Sequence, residues 1–190
     1  LTAHRLRAGV FVVGLAVSAA LVVLAQAGGD QLNLLARGWR LAARGELVPF
    51  GNPLSSGGNA PGALSSVLVG LPLAAWADHR APIVLIWALH LAAWLLLDRA
   101  LRGALTPLER AALAVVYWLN PWRVEAAGFL WNPNYLPLVG AVHLATARAL
   151  AERPRFGATS VHARGLDLGA HQHPSMILLG VDPALLWARG

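Results

Sequence analysis

The sequence predicts an all-α protein, a polytopic bundle of transmembrane helices with an amphipathic interfacial helix in its first extracytoplasmic loop. Apolar residues make up 57% of the 190 residues, and charged residues make up only 13%, about half the share usual in a soluble domain. The apolar residues come in long runs, and arginine dominates the charged residues that separate them. Cysteine is absent, which excludes a disulfide framework and a cysteine nucleophile.

The apolar segments lie at about 8–29, 61–77, 81–97, 111–122 and 135–150, with a weaker one at 175–188. A helix of about 20 apolar residues crosses the hydrocarbon core of a bilayer, and it satisfies its own backbone hydrogen bonds there. We therefore expect one transmembrane domain over residues 1–190, with membrane lipid as a partner. The net charge of +6 comes from arginines scattered between apolar runs, which is typical of membrane flanks, so nucleic acid is not expected as a partner.

Arginines at the segment ends bear on the topology. Arg5 and Arg7 precede the first segment and favour a cytoplasmic N-terminus. Ala25-Gln26-Ala27 leaves a signal-peptide cleavage site as the alternative. Three apolar segments separate these arginines from the next group, at 99–110, whereas two cytoplasmic groups require an even number of crossings. Either the N-terminus lies outside or one segment does not cross, and its prolines favour 61–77 as a broken segment.

The polar stretch after the first segment begins with a predicted helix over 31–44. Its apolar face comprises Leu32, Leu35, Trp39 and Ala42, and its cationic face comprises Arg37, Arg40 and Arg44. Such a helix lies at the headgroup level of a membrane, and Gly45 should end it. Residues 50–62 are dense in Gly, Pro, Asn and Ser, which predicts an irregular loop.

Asp30 begins this stretch and allows two interpretations. Aspartate is a good N-cap, so Asp30 suits the start of the 31–44 helix. A carboxylate at a membrane boundary can also act as a general base. Further along, Thr106 as N-cap, Pro107 at the first position and Glu109 in the first turn predict a helix that ends near Asn120.

The order of these features resembles the integral-membrane glycosyltransferases of superfamily C, which use lipid-linked sugar donors. Asp30 follows the first span, then come an arginine-bearing helix and a Gly/Asn/Pro loop. Residues 118–137, which contain Trp131-Asn132-Pro133-Asn134, are similar to a bacterial branch of that group. His171-Gln172-His173-Pro174-Ser175 resembles a further element of such chains.

The resemblance implies a hexosyl- or pentosyltransferase of the bacterial inner membrane. It would transfer a sugar from a polyprenyl-phosphate donor to an extracytoplasmic acceptor. Asp30 matches the acidic catalytic residue by position, and Glu125 is the nearest match to a second one. Enzymes of this kind usually run well beyond 190 residues, so this chain would be an N-terminal portion or a shortened relative.

The chemistry of sugar transfer suits further residues. A departing phosphate needs cations, and guanidinium groups bind phosphate in a bidentate manner. The residues expected to bind substrate are Arg37, Arg40, Arg44, Asn52, Arg123, Trp131, Asn132 and Asn134. The Trp-Asn-Pro-Asn run has a structural alternative, a turn at a helix start with an interfacial tryptophan.

Other interpretations stay open. A transporter or channel can use broken helices with Asn-Pro elements, and a non-catalytic membrane protein, the remnant of an enzyme, is a further alternative. A divalent metal ion is conceivable as a cofactor, but no metal ligands are assigned. His171 and His173 are two residues apart, and on a helix they would point in different directions. His90 lies inside an apolar run, where imidazole is either functional or bonded to a neighbouring helix.

Overall fold

The computed structural model describes residues 2–53, 57–61, 63–152, 157 and 159–165. This part is mostly helical, which confirms the all-α class. Its α-helices are α1 (Ala3–Leu24), α2 (Asp30–Arg44), α3 (Leu64–Ala75), α4 (Ala81–Ala100), α5 (Pro107–Trp118), α6 (Pro121–Ala127) and α7 (Leu136–Glu152). A 3-10 turn, Asn132–Tyr135, precedes α7. The weak segment at 175–188 lies outside the described residues.

Two helices of the described part, α1 and α4, are long and apolar enough to cross a membrane. At 1.5 Å per residue they extend about 33 and 30 Å. The 12 residues of α3 and the 12 of α5 extend only about 18 Å each. The apolar runs at 61–77 and 111–122 therefore do not form single helices of membrane-crossing length.

Helices α5 and α6 both run parallel to α1, and α6 continues along α1 where α5 ends. The middle of α1 meets the end of α5, where a Cβ on Gly14 would lie 2.6 Å from the Cβ of Trp118. Near the end of α1, a Cβ on Gly128 would lie 2.8 Å from the Cβ of Leu21. The side chain of Asn120 caps the start of α6, because its Oδ1 accepts hydrogen bonds from the backbone N–H groups of Trp122 and Arg123. The pair therefore forms one discontinuous helix that is interrupted at 119–120.

The chain after α6 turns back into the bundle without forming an α-helix. Leu130 and Tyr135 are buried. The side chain of His90, at the midpoint of α4, contacts the backbone oxygen of Asn134 at 2.9 Å through Nε2. Irregular backbone thus reaches the middle of α4 before α7 begins.

The face of α2 that the protein buries coincides only in part with the predicted apolar face. Leu35 is buried, whereas Leu32 and Trp39 are 54% and 38% exposed. The buried residues of α2 also include Gln31, Leu34 and Gly38, because α2 packs closely on α3. A Cβ on Gly70 of α3 would lie 3.0 Å from the backbone oxygen of Gly38. This close approach of two glycines determines which face is covered.

Local signals in the sequence fix several helix ends. Gly45 ends α2 in the left-handed conformation, with φ 69°. Thr106 is the N-cap of α5 as predicted, and the structure adds a capping box between Thr106 and Glu109. The expectation of an irregular loop over 50–62 is wrong in part, since β1 (Phe50–Pro53) and β2 (Asn59–Pro61) pair antiparallel.

Two apolar clusters hold the helices together. The first joins α1, α2, α3 and α4 to the 128–135 segment, with Leu34, Val69, Ile86 and Leu130 among its members. The second joins α1, α4 and α5 around Val10, Trp94, Ala114 and Trp118.

Candidate functional site

At one end of the bundle, two arginines contact the same carboxylate and a third arginine lies nearby. Asp98, near the end of α4, accepts a 2.8 Å hydrogen bond from Arg7 of α1 and a 2.7 Å bond from Arg110 of α5. Arg148, near the end of α7, lies beside Gly103. We call this the arginine end.

The opposite end carries the two acidic residues that the sequence singled out. His79, just before α4, contacts the backbone oxygen of Ala25 at the end of α1 through Nε2, at 3.0 Å. Asp30 follows Ala25 by five positions. Glu125 of α6 lies against the last turns of α1. We call this the carboxylate end.

Asp30 is the first residue of α2 and is not its N-cap. Gly29 occupies the cap position, with φ 52°, and no side chain accepts a hydrogen bond there. The capping interpretation is therefore wrong. The cap position has a positive φ, which favours glycine, and Asp30 is the first residue inside the helix. Asp30 is exposed and has no ion pair within the described residues. Its carboxylate lies in the first turn, where the helix dipole favours a negative charge.

Glu125 is exposed at the edge of an open apolar groove. The groove has a volume of about 420 Å³ and lies between the end of α1 and α6. Its other lining residues are Leu21, Leu24, Ala25, Pro121, Val124, Gly128 and Phe129. A carboxylate thus borders a surface that suits an aliphatic chain.

The cationic residues of α2 differ in their surroundings. Asp30, Arg37 and Arg44 are spaced by seven residues, which places them on one face with about 10 Å between neighbours. Arg40 pairs with Glu46 at 3.1 Å. Arg44 is exposed and has no ion pair within the described residues.

Arg37 is the cation of this face nearest to Asp30. It donates a hydrogen bond of 3.1 Å to the backbone oxygen of Phe50, and its guanidinium lies 5.5 Å from the centre of the Phe50 ring. Partial burial lowers the pKa of Arg37 from its ordinary value. Only one of its five N–H donors is used in this bond, which leaves capacity for a ligand.

Arg123 of α6 lies over aromatic rings. Its guanidinium carbon is 4.5 Å from the centre of the Trp118 ring and 5.3 Å from that of Tyr117. Its Nη2 donates to the backbone oxygen of Trp118 at 3.3 Å. Its Nε and Nη1 are buried and have no hydrogen-bond partner within the described residues.

The Trp-Asn-Pro-Asn run forms the turn that leads into α7. Asn134 is buried, and its side-chain amide donates to the backbone oxygen of Phe129 at 2.7 Å. Its backbone N–H donates to the oxygen of Trp131 at 3.0 Å. Trp131 is exposed, whereas the Oδ1 of Asn132 is buried without a described partner. The run thus forms the turn that the structural alternative expects, and its role in binding substrate stays a prediction. Asn132 is the member of the run with a buried acceptor that lacks a described partner.

The other predicted residues are Asn52 and the histidines. Asn52 lies in β1. His90 bonds to the neighbouring segment, as the second interpretation of its burial expects. Within the described ranges, no group of three His, Asp or Glu residues could hold a metal ion. His171 and His173 lie outside those ranges.

Sequence reasoning missed two residues that organise this arrangement. Asp98 joins three helices, although the sequence shows only an acidic residue at the end of an apolar run. Tyr117 underlies Arg123 and donates a 2.6 Å hydrogen bond to the backbone oxygen of His90. The separation of six positions between Tyr117 and Arg123, across a predicted helix end, carried no signal of this contact.

The fold and site together define a mostly helical protein with two helices of membrane-crossing length and two exposed carboxylates at one end of its bundle. Comparison with protein-family models, with curated proteins and with solved structures finds no match.

Proposed function

We propose that the chain is a multi-pass protein of the bacterial inner membrane, with the arginine end in the cytoplasm. The outward face of α1 supports this. Its exposed side chains include Val12, Val23 and Leu24, which are 61%, 63% and 71% exposed. A soluble monomer rarely exposes so continuous an apolar surface. The arginines at one end fit the excess of positive charge on the cytoplasmic side of membrane proteins.

In this orientation the proposed crossings are consistent with one another. Helix α1 leads outward, the α2–α3 pair stays on the outer side, and α4 returns. The discontinuous α5–α6 helix leads outward again, and α7 ends at the arginine end. The number of crossings between Arg7 and Arg110 is then even, in agreement with the positive-inside rule. The carboxylate end is extracytoplasmic.

We propose further that the carboxylate end transfers a sugar from a polyprenyl-phosphate donor to an acceptor hydroxyl. The observation that carries this proposal is the pairing of the apolar groove with a carboxylate, that of Glu125, among its lining residues. The groove suits the polyprenyl chain of the donor, since its lining is mainly aliphatic and aromatic. The donor's sugar and phosphate would lie at the rim.

The reaction assigns each residue a role. Asp30 accepts the proton of the acceptor hydroxyl as the oxygen attacks the anomeric carbon. The bond from that carbon to the phosphate oxygen breaks with inversion, and the polyprenyl phosphate leaves. Arg37 lies on the same face of α2 and stabilises the phosphate charge. Glu125 binds the acceptor's hydroxyl groups.

The test is transfer of labelled sugar from a polyprenyl-phosphate donor by the full chain in detergent or proteoliposomes. We expect Asp30→Asn to lower turnover by about 100-fold or more, the contribution typical of a general base. Glu152→Gln is the matched control, because Glu152 is an exposed carboxylate at the other end of the bundle. Equal turnover of Asp30→Asn and the control, with both inserted in the membrane, would remove Asp30 as the base.

One observation favours a second class, a transporter. The break between α5 and α6 and the irregular segment 128–135 place non-helical backbone beside the middle of α4. Discontinuous helices of this kind line the solute sites of many transporters. Solute uptake by proteoliposomes that show no sugar transfer would favour this class.

A further inference from the structure

The half-buried guanidinium of Arg123, at the break between α5 and α6, has no counter-ion among the described residues. No described carboxylate lies within ion-pair distance of Arg123. Glu125 is two positions along the same helix, so the two side chains leave its axis about 200° apart. A charge that is partly removed from water and lacks an ion-pair partner is unfavourable, so other groups must compensate it.

The aromatic rings compensate only part of this charge. Trp118 and Tyr117 present their faces to the guanidinium, which stabilises a cation. Stacking leaves the N–H groups in the guanidinium plane unused, and the backbone oxygen of Trp118 accepts from Nη2 alone. The donors on Nε and Nη1 therefore have no acceptor among the described residues.

A further donor at the same position also lacks an acceptor. The side chain of Trp118 is 1% exposed, and its Nε1 has no hydrogen-bond partner within the described residues. Buried N–H groups in native proteins are almost always paired. Two adjacent side chains thus carry unsatisfied donors, and the net charge of the pair is positive. This combination selects an anionic acceptor over a neutral one.

We propose that the α5–α6 break is a binding site for a phosphate monoester, held by Arg123 above Trp118. Planar guanidinium matches the oxygens of phosphate, and low surrounding polarity strengthens the attraction. The phosphate comes either from a lipid headgroup or from a soluble ion, since both present the same oxygens. The site is independent of sugar transfer at the carboxylate end and can exist whether or not that transfer occurs.

The experiment measures binding by titration calorimetry on the full chain in a neutral detergent. Two probes separate the sources, a short-chain phosphatidic acid and inorganic phosphate, and a short-chain phosphatidylcholine is the neutral reference. We expect at least one phosphate probe to bind more tightly than phosphatidylcholine. Binding of phosphatidic acid alone assigns the site to lipid, and binding of inorganic phosphate identifies a soluble source. Equal and weak binding of all three overturns the proposal.

Variants locate the binding. Arg123→Gln should weaken the phosphate probe by about tenfold or more, the value of a charge-assisted hydrogen bond. Arg102→Gln is the matched control, because Arg102 is an exposed arginine without an ion pair in the described part, and it should bind as the unmodified chain does. Arg123→Lys keeps the charge and serves where Arg123→Gln does not fold; it should weaken binding because lysine lacks the planar donors. Unchanged affinity in a folded Arg123 variant overturns the proposal.

Discussion

Asp98 shows how much one side chain can organise in this fold. It receives hydrogen bonds from Arg7 and Arg110, so it ties the start of α1 and the start of α5 to the end of α4. The side chain of Arg110 is only 11% exposed. Its guanidinium therefore depends on Asp98 for compensation of its charge.

Replacement of Asp98 should destabilise the bundle. Asp98→Asn removes the charge while the shape of the side chain stays nearly the same, so it leaves two arginines facing each other. We expect a loss of about 1.5–3 kcal/mol in the free energy of unfolding, the range for hydrogen bonds to charged groups. Thermal unfolding followed by near-ultraviolet circular dichroism measures it. Glu152→Gln is the control, since its exposed i,i+4 pair with Arg148 should contribute about 0.5 kcal/mol or less. Equal unfolding of the two variants would show that Asp98 is not a structural tie.

The sequence allowed the candidate residues to be named but not their partners. Asp30 and Arg37 were named because their residue types suit proton transfer and phosphate binding, and Glu125 was named because the resemblance implies a second acidic residue. The pair of arginines on Asp98 could not be found, because Arg7 is 91 positions away along the chain. Arg40 likewise carried no signal that Glu46 would pair with it. Long-range pairing depends on how helices pack, which residue types alone do not determine.

The start of α5 is an element whose stability should depend on pH. The carboxylate of Glu109 accepts hydrogen bonds from the backbone N–H and the hydroxyl of Thr106, and these bonds lower the pKa of Glu109 below its ordinary value of 4.5. A folded-state pKa that is depressed gives stability that is present above the unfolded pKa and is lost as the pH falls through the folded one. Glu109 is exposed and lies before the apolar run that begins at Ala111, so water reaches its carboxylate.

Glu109→Gln removes the charge and retains the shape. We expect the variant to unfold at a lower temperature than the unmodified chain at pH 7, because the carboxylate also favours the helix N-terminus. The difference should shrink as the pH falls below about 4.5 and the carboxylate takes up a proton. Midpoints of thermal unfolding at a series of pH values measure it, with Glu152→Gln as the control. A difference that is constant over this range would contradict the role of the charge.

The ends of the helices were easier to predict than the faces that the helices bury. Gly45 and the Thr106 capping box act through the backbone within one turn, so the sequence contains their full cause. The buried face of α2 depends on the contact between Gly38 and α3, more than 30 positions further along the chain. The hairpin of β1 and β2 was missed for another reason. Its glycines, Gly57 and Gly58, take positive φ values of 89° and 77°, which a turn and an irregular loop permit equally.

At the scale of the whole molecule, the length of an apolar run did not determine the length of a helix. The runs at 8–29 and 81–97 became α1 and α4, whereas the run at 111–122 is divided by Asn120 and Pro121 between α5 and α6. The run at 61–77 yields only α3, which packs on α2. The hypothesis that 61–77 is the segment that does not cross agrees with this packing, and its test requires a membrane.

Cysteine labelling can test the proposed topology directly, because the chain has no cysteine of its own. Gly28 and Ala77 flank the α2–α3 pair, and Ala104 lies at the arginine end; all three are exposed. We expect a membrane-impermeant maleimide added to intact spheroplasts to label Gly28→Cys and Ala77→Cys, since both positions lie outside if α2 and α3 do not cross. Ala104→Cys should be labelled only after the membrane is permeabilised. The unmodified chain is the control for background. Labelling of Ala77→Cys only after permeabilisation, together with labelling of Ala104→Cys in intact spheroplasts, would mean that the α2–α3 pair crosses, and the proposed orientation of every later helix would reverse.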